Sequence, residues 1–267
     1  MFPTLFKSGS FELPSFGLLM VIAFFSGLYI AQKRAPRFGL TSEDVIDSFL
    51  PMLFAGVLGA RVVFIAQEWG YYKDHMSELL TLRFQGLTSF GGILFGLIAC
   101  MIWCKRKGFS FPLYGDLIAP AFLLGHAIGR IGCFLNGCCF GGVCPPNFPL
   151  GVKFVGQELL HHPAQLYDTA MNLAGFALLL AYEKRPHSPG QTFGLMFILH
   201  GMARFIYEFW RAGSVEDVAL GKASSTYMGS LPITEAQVAA LVLVVIGAVL
   251  MAVFGRKGMV QQELRTA

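Results

Sequence analysis

Seven apolar runs, most of them long enough to cross a bilayer, constrain this chain more than any other feature. They cover roughly 13–31, 45–66, 90–103, 113–135, 163–182, 193–209 and 236–254. A hydrocarbon core about 30 Å thick takes about 20 apolar residues of helix, because each backbone N–H and C=O must find its partner inside the segment. The third run is short and Pro120 interrupts the fourth; neighbouring helices can satisfy the carbonyl that a proline frees. The chain has 267 residues, 55% hydrophobic and 13% charged, too apolar for a soluble domain. It reads as an all-α polytopic membrane protein of about seven transmembrane helices. One integral membrane domain is expected over 1–267, with its core over about 14–255. No small-residue cleavage site follows the first apolar run, so that run is expected to stay as a span.

Basic residues give the orientation. Lys33, Arg34 and Arg37 follow the first run, Lys105, Arg106 and Lys107 the third, Lys184 and Arg185 the fifth, and Arg256, Lys257 and Arg265 the seventh. The alternate segments hold only Lys7, Lys73, Arg83, Lys153, Arg211 and Lys222. This alternation predicts an N-terminus outside and a C-terminus in the cytoplasm.

Arg61, Arg130 and Arg204 belong to no loop; each falls inside an apolar run. Charge at membrane depth is costly and marks a site by default. His200, Arg204 and Glu208 recur every fourth residue and share a helical face. The plainer reading makes Arg204 and Glu208 a structural ion pair and lets Arg61 snorkel to the interface. Against it, only Asp116, Asp168 and Glu208 are placed to neutralise three arginines. Surplus buried guanidinium suits an anion, and its fork matches phosphate oxygens.

The fourth run leads into His126-Ala127-Ile128-Gly129-Arg130-Ile131-Gly132-Cys133-Phe134-Leu135-Asn136-Gly137-Cys138-Cys139-Phe140-Gly141. Within it, Gly129-Arg130-Ile131-Gly132-x-Phe134-x-Asn136-Gly137-x-x-x-Gly141 resembles the signature of the bacterial prolipoprotein diacylglyceryl transferases. Other stretches agree in order. Gly59-Ala60-Arg61 resembles that family's second span, Ser89-Phe90-Gly91-Gly92 its entry to the third, and Asp116-Leu117-Ile118-Ala119-Pro120 its lead-in to the fourth. His162-Pro163-Ala164-Gln165-Leu166-Tyr167-Asp168 is similar to its HPxQLYE motif. Arg204-Phe205-x-x-Glu208-Phe209-x-Arg211 is similar to its sixth span. Each motif is weak alone; the ordered set is specific.

The resemblance implies an enzyme of the bacterial cytoplasmic (inner) membrane. It would move the diacylglyceryl group of phosphatidylglycerol to the lipobox cysteine of a lipoprotein precursor and release glycerol phosphate. Partners would be phosphatidylglycerol, precursor signal peptides and the bilayer. The residues fit such chemistry. A phosphate leaving group gathers negative charge that a dry, cationic site stabilises, which Arg130 and Arg204, with Arg61, can supply. The nucleophile is a thiol with pKa near 8.5, which a positive field or a base activates. Asn136 and Gln165 are neutral donors for glycerol hydroxyls or phosphate oxygens, and Gly137, Gly141 and Arg211 complete the implied substrate-binding set. The implied catalytic set is Arg130, Arg204, His200 and Glu208. Asn136 and Gln165 also suit plain helix-to-helix hydrogen bonds.

The chain departs from the family in places. Phe90 stands where many members have His or Tyr, so no base is available there. Cys133 replaces a usual Asn, Cys138 a frequent Glu, and His200 a frequent Tyr. An imidazole with pKa near 6.5 suits proton transfer, so His200, and less so His162, are candidate bases. Cys133, Cys138, Cys139 and Cys144 cluster after the fourth run and admit three readings, ranked as a disulfide, free thiols and a metal site. A disulfide from Cys133 or Cys138 to Cys144 would close the outer loop; the spacing lacks paired CxxC units, so no metal is expected. No cofactor is expected either, since GxGxxG and Walker A patterns are missing, and no basic patch supports nucleic-acid binding. Two alternatives stand beside the transferase: a related lipid-group transferase with another acceptor, and a non-enzymatic lipid or anion transporter. The transporter reading lacks an internal repeat.

Overall fold

A computed structural model describes residues 2–8, 11–78, 88–211 and 233–266. Each apolar run coincides with a helix. These are α1 (Ser15–Arg34), α2 (Ser42–Gln67), α3 (Ser89–Lys107), α4 (Phe111–Asn136), α5 (Ala164–Tyr182), α6 (Gln191–Tyr207) and α7 (Glu235–Thr266). Among the described residues, four stretches are long and apolar enough to cross a membrane: Ser15–Phe38, Ser42–Gln67, Phe111–Asn136 and Glu235–Arg256. The helices α5 and α6 fall short of that measure for a physical reason. Gln165, Asp168, Thr169 and Asn172 interrupt the apolar surface of α5, and α6 has only 17 residues.

Two short antiparallel hairpins join the helices, so the all-helical expectation holds for the long elements only. Strands β1 (Thr4–Ser8) and β2 (Phe11–Pro14) pair ahead of α1, with Lys7 opposite Glu12 in an exposed ion pair. Strands β3 (Val152–Lys153) and β4 (Leu160–His161) pair between α4 and α5.

The residues group into two compact units, the first from Met1–Ile30 and Gly115–Ala267, the second Ala31–Tyr114. In the second unit, the Thr41 side chain and the Asp44 carboxylate cap α2 reciprocally, satisfying donors that a helix start leaves open. Helices α2 and α3 meet through glycine, where a Cβ on Gly59 would come within 2.7 Å of the Gly91 carbonyl. Arg61 belongs to this unit and lies over the rings of Tyr72 (5.5 Å) and Phe64 (5.9 Å). The backbone of Phe90 belongs to the start of α3; its side chain is outside the described residues.

In the first unit, Asp116 faces backbone donors. It is 1% exposed and accepts from the backbone N–H of Gly190 (2.5 Å) and of Phe193 (2.7 Å). The carboxylate therefore caps the start of α6, where unpaired donors and the helix dipole favour negative charge. Helices α6 and α7 approach closely: a Cβ on Gly194 would meet the Gly247 carbonyl at 2.9 Å. That contact fixes α6, which carries His200 and Arg204.

Candidate active site

The site is built from one face each of α4, α5 and α6, all within the first unit. On α4, His126, Arg130 and Cys133 stand at i, i+4 and i+7, a single helical stripe. On α5, Gln165, Asp168, Thr169 and Asn172 follow the same periodicity and are all buried. The two stripes meet at Asp168. Its Oδ2 lies 2.8 Å from Arg130 Nε and 3.1 Å from His126 Nε2. Its Oδ1 accepts from Asn172 Nδ2 at 2.6 Å. Asn172 Oδ1 in turn faces His200 Nδ1 at 3.0 Å, and the rings of His126 and His200 meet edge to face at 4.7 Å. A single carboxylate thus ties together an arginine, two histidines and three helices.

Arg204 forms a close ion pair with Glu208, and Arg211 Nη1 lies 3.8 Å from the same Glu208 oxygen. Thr234 Oγ1 donates to the other Glu208 oxygen at 3.4 Å. Glu208 stands in a short 3-10 turn that extends α6 (Glu208–Trp210). Tyr207 brings two of the three arginines of the apolar runs into one place. The Arg130 guanidinium lies 5.0 Å and that of Arg204 4.7 Å from its ring centroid. Such contacts are worth about 0.5–2 kcal/mol each, more when desolvated.

Two of the three acids expected to neutralise the arginines do so: Arg130 meets Asp168, and Arg204 meets Glu208. Among these five groups, three arginines still face two carboxylates. The excess shows in the hydrogen bonding. Among the described residues, buried Arg130 Nη2 and Arg211 Nε have no hydrogen-bond partner, and Arg130 Nε, although close to Asp168, is not aligned as a hydrogen bond. Gln165 donates from Nε2 to the Cys138 carbonyl at 2.7 Å, while its buried Oε1 has no partner among the described residues. Unpaired buried donors and acceptors are costly and call for a ligand or water.

The turn after α4 orders the rest. Gly137 adopts φ +76, with its N–H on the Phe134 carbonyl (3.1 Å) and that of Cys138 on the Cys133 carbonyl (3.1 Å). This paired closure of a helix end is the reason glycine stands there. It folds Cys138 and Cys139 back toward Cys133, and the three sulfurs lie within 4.8 Å of one another. Asn136 is exposed at the last position of α4. All six cysteines are free thiols, and Cys144 packs beside Gly151 instead of bonding to Cys133 or Cys138. The disulfide expectation is corrected accordingly.

Gly141 is a crossing point of backbones. Its N–H donates to the His162 carbonyl (2.8 Å), its own carbonyl faces His161 Nδ1 (2.9 Å), and it bridges to Arg211. The adjacent Gly142 N–H donates to the Trp210 carbonyl (2.8 Å). These bonds hold Arg211 against the end of α4. His162 Nδ1 faces the Tyr167 hydroxyl at 3.2 Å; burial, with His161 beside it, pushes its imidazole below the ordinary histidine value.

Arg130, Arg204, Arg211, His200, Glu208 and Gln165 thus fall in one network. Arg61 lies over the rings of Tyr72 and Phe64, in the second unit. Sequence reasoning passed over Tyr207, His126 and Asn172. The buried stripe Gln165, Asp168, Thr169, Asn172 was the available signal, since four polar residues on one face of an apolar helix need polar neighbours.

A model of a family described as prolipoprotein diacylglyceryl transferase matches residues 3–253. The chain belongs to that family. Among similar proteins, a phosphatidylglycerol–prolipoprotein diacylglyceryl transferase of Streptococcus equi subsp. equi is 31% identical, covering 86% of this chain and 90% of the relative. Proteins of the same name from Bacillus cereus and Clostridium tetani are 30% and 28% identical; the alignments cover 94% and 82% of this chain and 91% and 89% of those relatives.

Proposed function

We propose that this chain transfers the diacylglyceryl group of phosphatidylglycerol to the lipobox cysteine of a prolipoprotein, the first step of lipoprotein maturation. Family membership supports the reaction. The observation that carries the site is the pair of buried, unpartnered guanidinium nitrogens, Arg130 Nη2 and Arg211 Nε. Phosphate oxygens of the lipid complete them.

The peptide sulfur attacks the diacylglyceryl carbon, the C–S bond forms, and the C–O bond breaks with its electron pair going to glycerol phosphate. Negative charge grows on the leaving oxygen, so donors already fixed in a dry site lower the barrier without reorganising. Asp168 and Tyr207 fix Arg130; Glu208 and Tyr207 fix Arg204. Gln165 Oε1 is placed to accept from a glycerol hydroxyl. The peptide thiol's proton passes to His200, whose other contacts (Asn172 and the His126 ring) orient it. Arg61 and Asn136 stay in the binding set on the strength of the resemblance.

Seven spans with the N-terminus outside and the C-terminus in the cytoplasm follow from the basic-residue alternation. The site then lies toward the outer leaflet of the bacterial cytoplasmic membrane, where precursor signal peptides emerge.

Purified protein in phosphatidylglycerol vesicles tests the reading. A lipobox peptide should gain the mass of the diacylglyceryl group, and its Cys→Ser counterpart should not. No gain, with folded protein, contradicts the function.

A further inference from the structure

Three thiols in contact at the edge of a buried polar site call for their own account. Cys133 follows Arg130 by less than one helical turn and lies on the same stripe of α4. Cys138 and Cys139 return to it through the Gly137 turn, and Cys139 itself holds φ +62, a left-handed conformation. Such a backbone is uncommon outside glycine and persists where its surroundings enforce it. Here the Gln165 bond to the Cys138 carbonyl is one such restraint. The result is three sulfurs within 4.8 Å of one another. A tetrahedral zinc centre with Zn–S bonds of about 2.3 Å sets its sulfurs about 3.8 Å apart, so small side-chain rotations close the triad on an ion. Three protein ligands with a fourth position left open is the pattern of a reactive zinc site, in contrast to the closed four-ligand structural kind. Arg130, on the same stripe as Cys133, and Arg211, held beside the turn after α4 by Gly141 and Gly142, balance the negative charge that three thiolates bring.

We propose that Cys133, Cys138 and Cys139 form a three-thiolate zinc site whose fourth position takes the thiol of the incoming lipobox cysteine. The inference rests on the transfer reading above and supplies its nucleophile. Binding the peptide sulfur to zinc releases the thiol proton to His200 or water and leaves a thiolate at neutral pH. One sulfur lone pair then attacks the diacylglyceryl carbon, the C–O pair leaves with glycerol phosphate, and the thioether product, a weak ligand, departs. Zinc keeps its charge throughout, so no oxidant or reductant enters. The stripe that carries Cys133 also carries Arg130, which places the thiolate and the phosphate clamp side by side. This arrangement also accounts for transfer without a base at Phe90.

The test uses full-length protein purified in detergent under reducing conditions. Metal analysis after dialysis against zinc should give about one zinc per chain in the parent and a loss in Cys133→Ser, Cys138→Ser and Cys139→Ser. Circular dichroism of the same samples reports folding, and Cys144→Ser serves as a thiol control that keeps its zinc. Cobalt(II) in place of zinc should show a thiolate-to-cobalt absorption band. That band should shift on adding a lipobox peptide and stay fixed with the Cys→Ser peptide. Stoichiometric zinc with no spectral response to the peptide thiol overturns the open-position claim. Absence of bound zinc from folded, reduced parent protein overturns the site. If metal-free protein transfers lipid at the parent rate, the zinc inference fails while the transferase reading stands. If zinc and peptide thiol bind but no lipid moves, the reverse holds.

Discussion

Arg130 Nε and Asp168 Oδ2 stand 2.8 Å apart between α4 and α5, and this pair organises the site. Asp168 is 2% exposed, and a buried ion left alone costs several kcal/mol. Asp168→Asn should therefore destabilise the protein by about 3–5 kcal/mol and lower transfer. Adding Arg130→Gln should recover part of the stability and none of the transfer. Thermal unfolding and peptide lipidation, measured on the two single variants and the double, check both halves. Recovery of transfer in the double variant would make the pair purely structural.

The guanidinium clamp predicts a particular kinetic pattern. Arg130→Gln, Arg204→Gln and Arg211→Gln each remove charge and the bidentate fork. Transfer should fall more than about tenfold in each, the loss of a charge-assisted bond worth roughly 1.5–3 kcal/mol. The loss should appear in kcat more than in KM, because charge develops on the leaving oxygen only toward the transition state. Steady-state kinetics with phosphatidylglycerol in mixed micelles separates the two.

His200 is expected to accept a proton. Rates of His200→Gln beside the parent should differ most near neutral pH and converge as rising pH ionises the peptide thiol, whose pKa is near 8.5. A loss equal at every pH would assign His200 to holding Asn172 and His126 in place.

Gly141 offers a structural control. A methyl group there would press on the Trp210 carbonyl and approach the His162 Cβ at 2.7 Å. Gly141→Ala should destabilise by about 1–3 kcal/mol, as overpacking does, and displace Arg211 from the clamp. Thermal unfolding should show a lower Tm, and kcat for transfer should fall as it does in Arg211→Gln.

Much of this was written in the sequence. The long helices were legible because a membrane-crossing segment must be apolar along its whole length, and Arg130 and Arg204 stood out against that background. Tyr207 did not, since an aromatic residue in an apolar helix reads as packing until two arginines are seen on its faces. His126 and Asn172 were hidden because their meaning lies in contacts between α4, α5 and α6. The bridge between Gly141 and Arg211 escaped for a related reason: the two residues are far apart in the chain, and no local pattern specifies such a pairing. The cysteine spacing carried little weight until the Gly137 turn placed the three sulfurs together.

The central claim is displacement at carbon with phosphate departing into the arginine clamp. Phosphatidylglycerol labelled with heavy oxygen at the atom bridging the diacylglyceryl carbon and phosphorus tests it most directly. After one turnover with a lipobox peptide, mass spectrometry should find the heavy oxygen in the released glycerol phosphate and none in the lipidated peptide. Heavy oxygen retained on the diacylglyceryl fragment would place the cleavage at phosphorus and contradict the account.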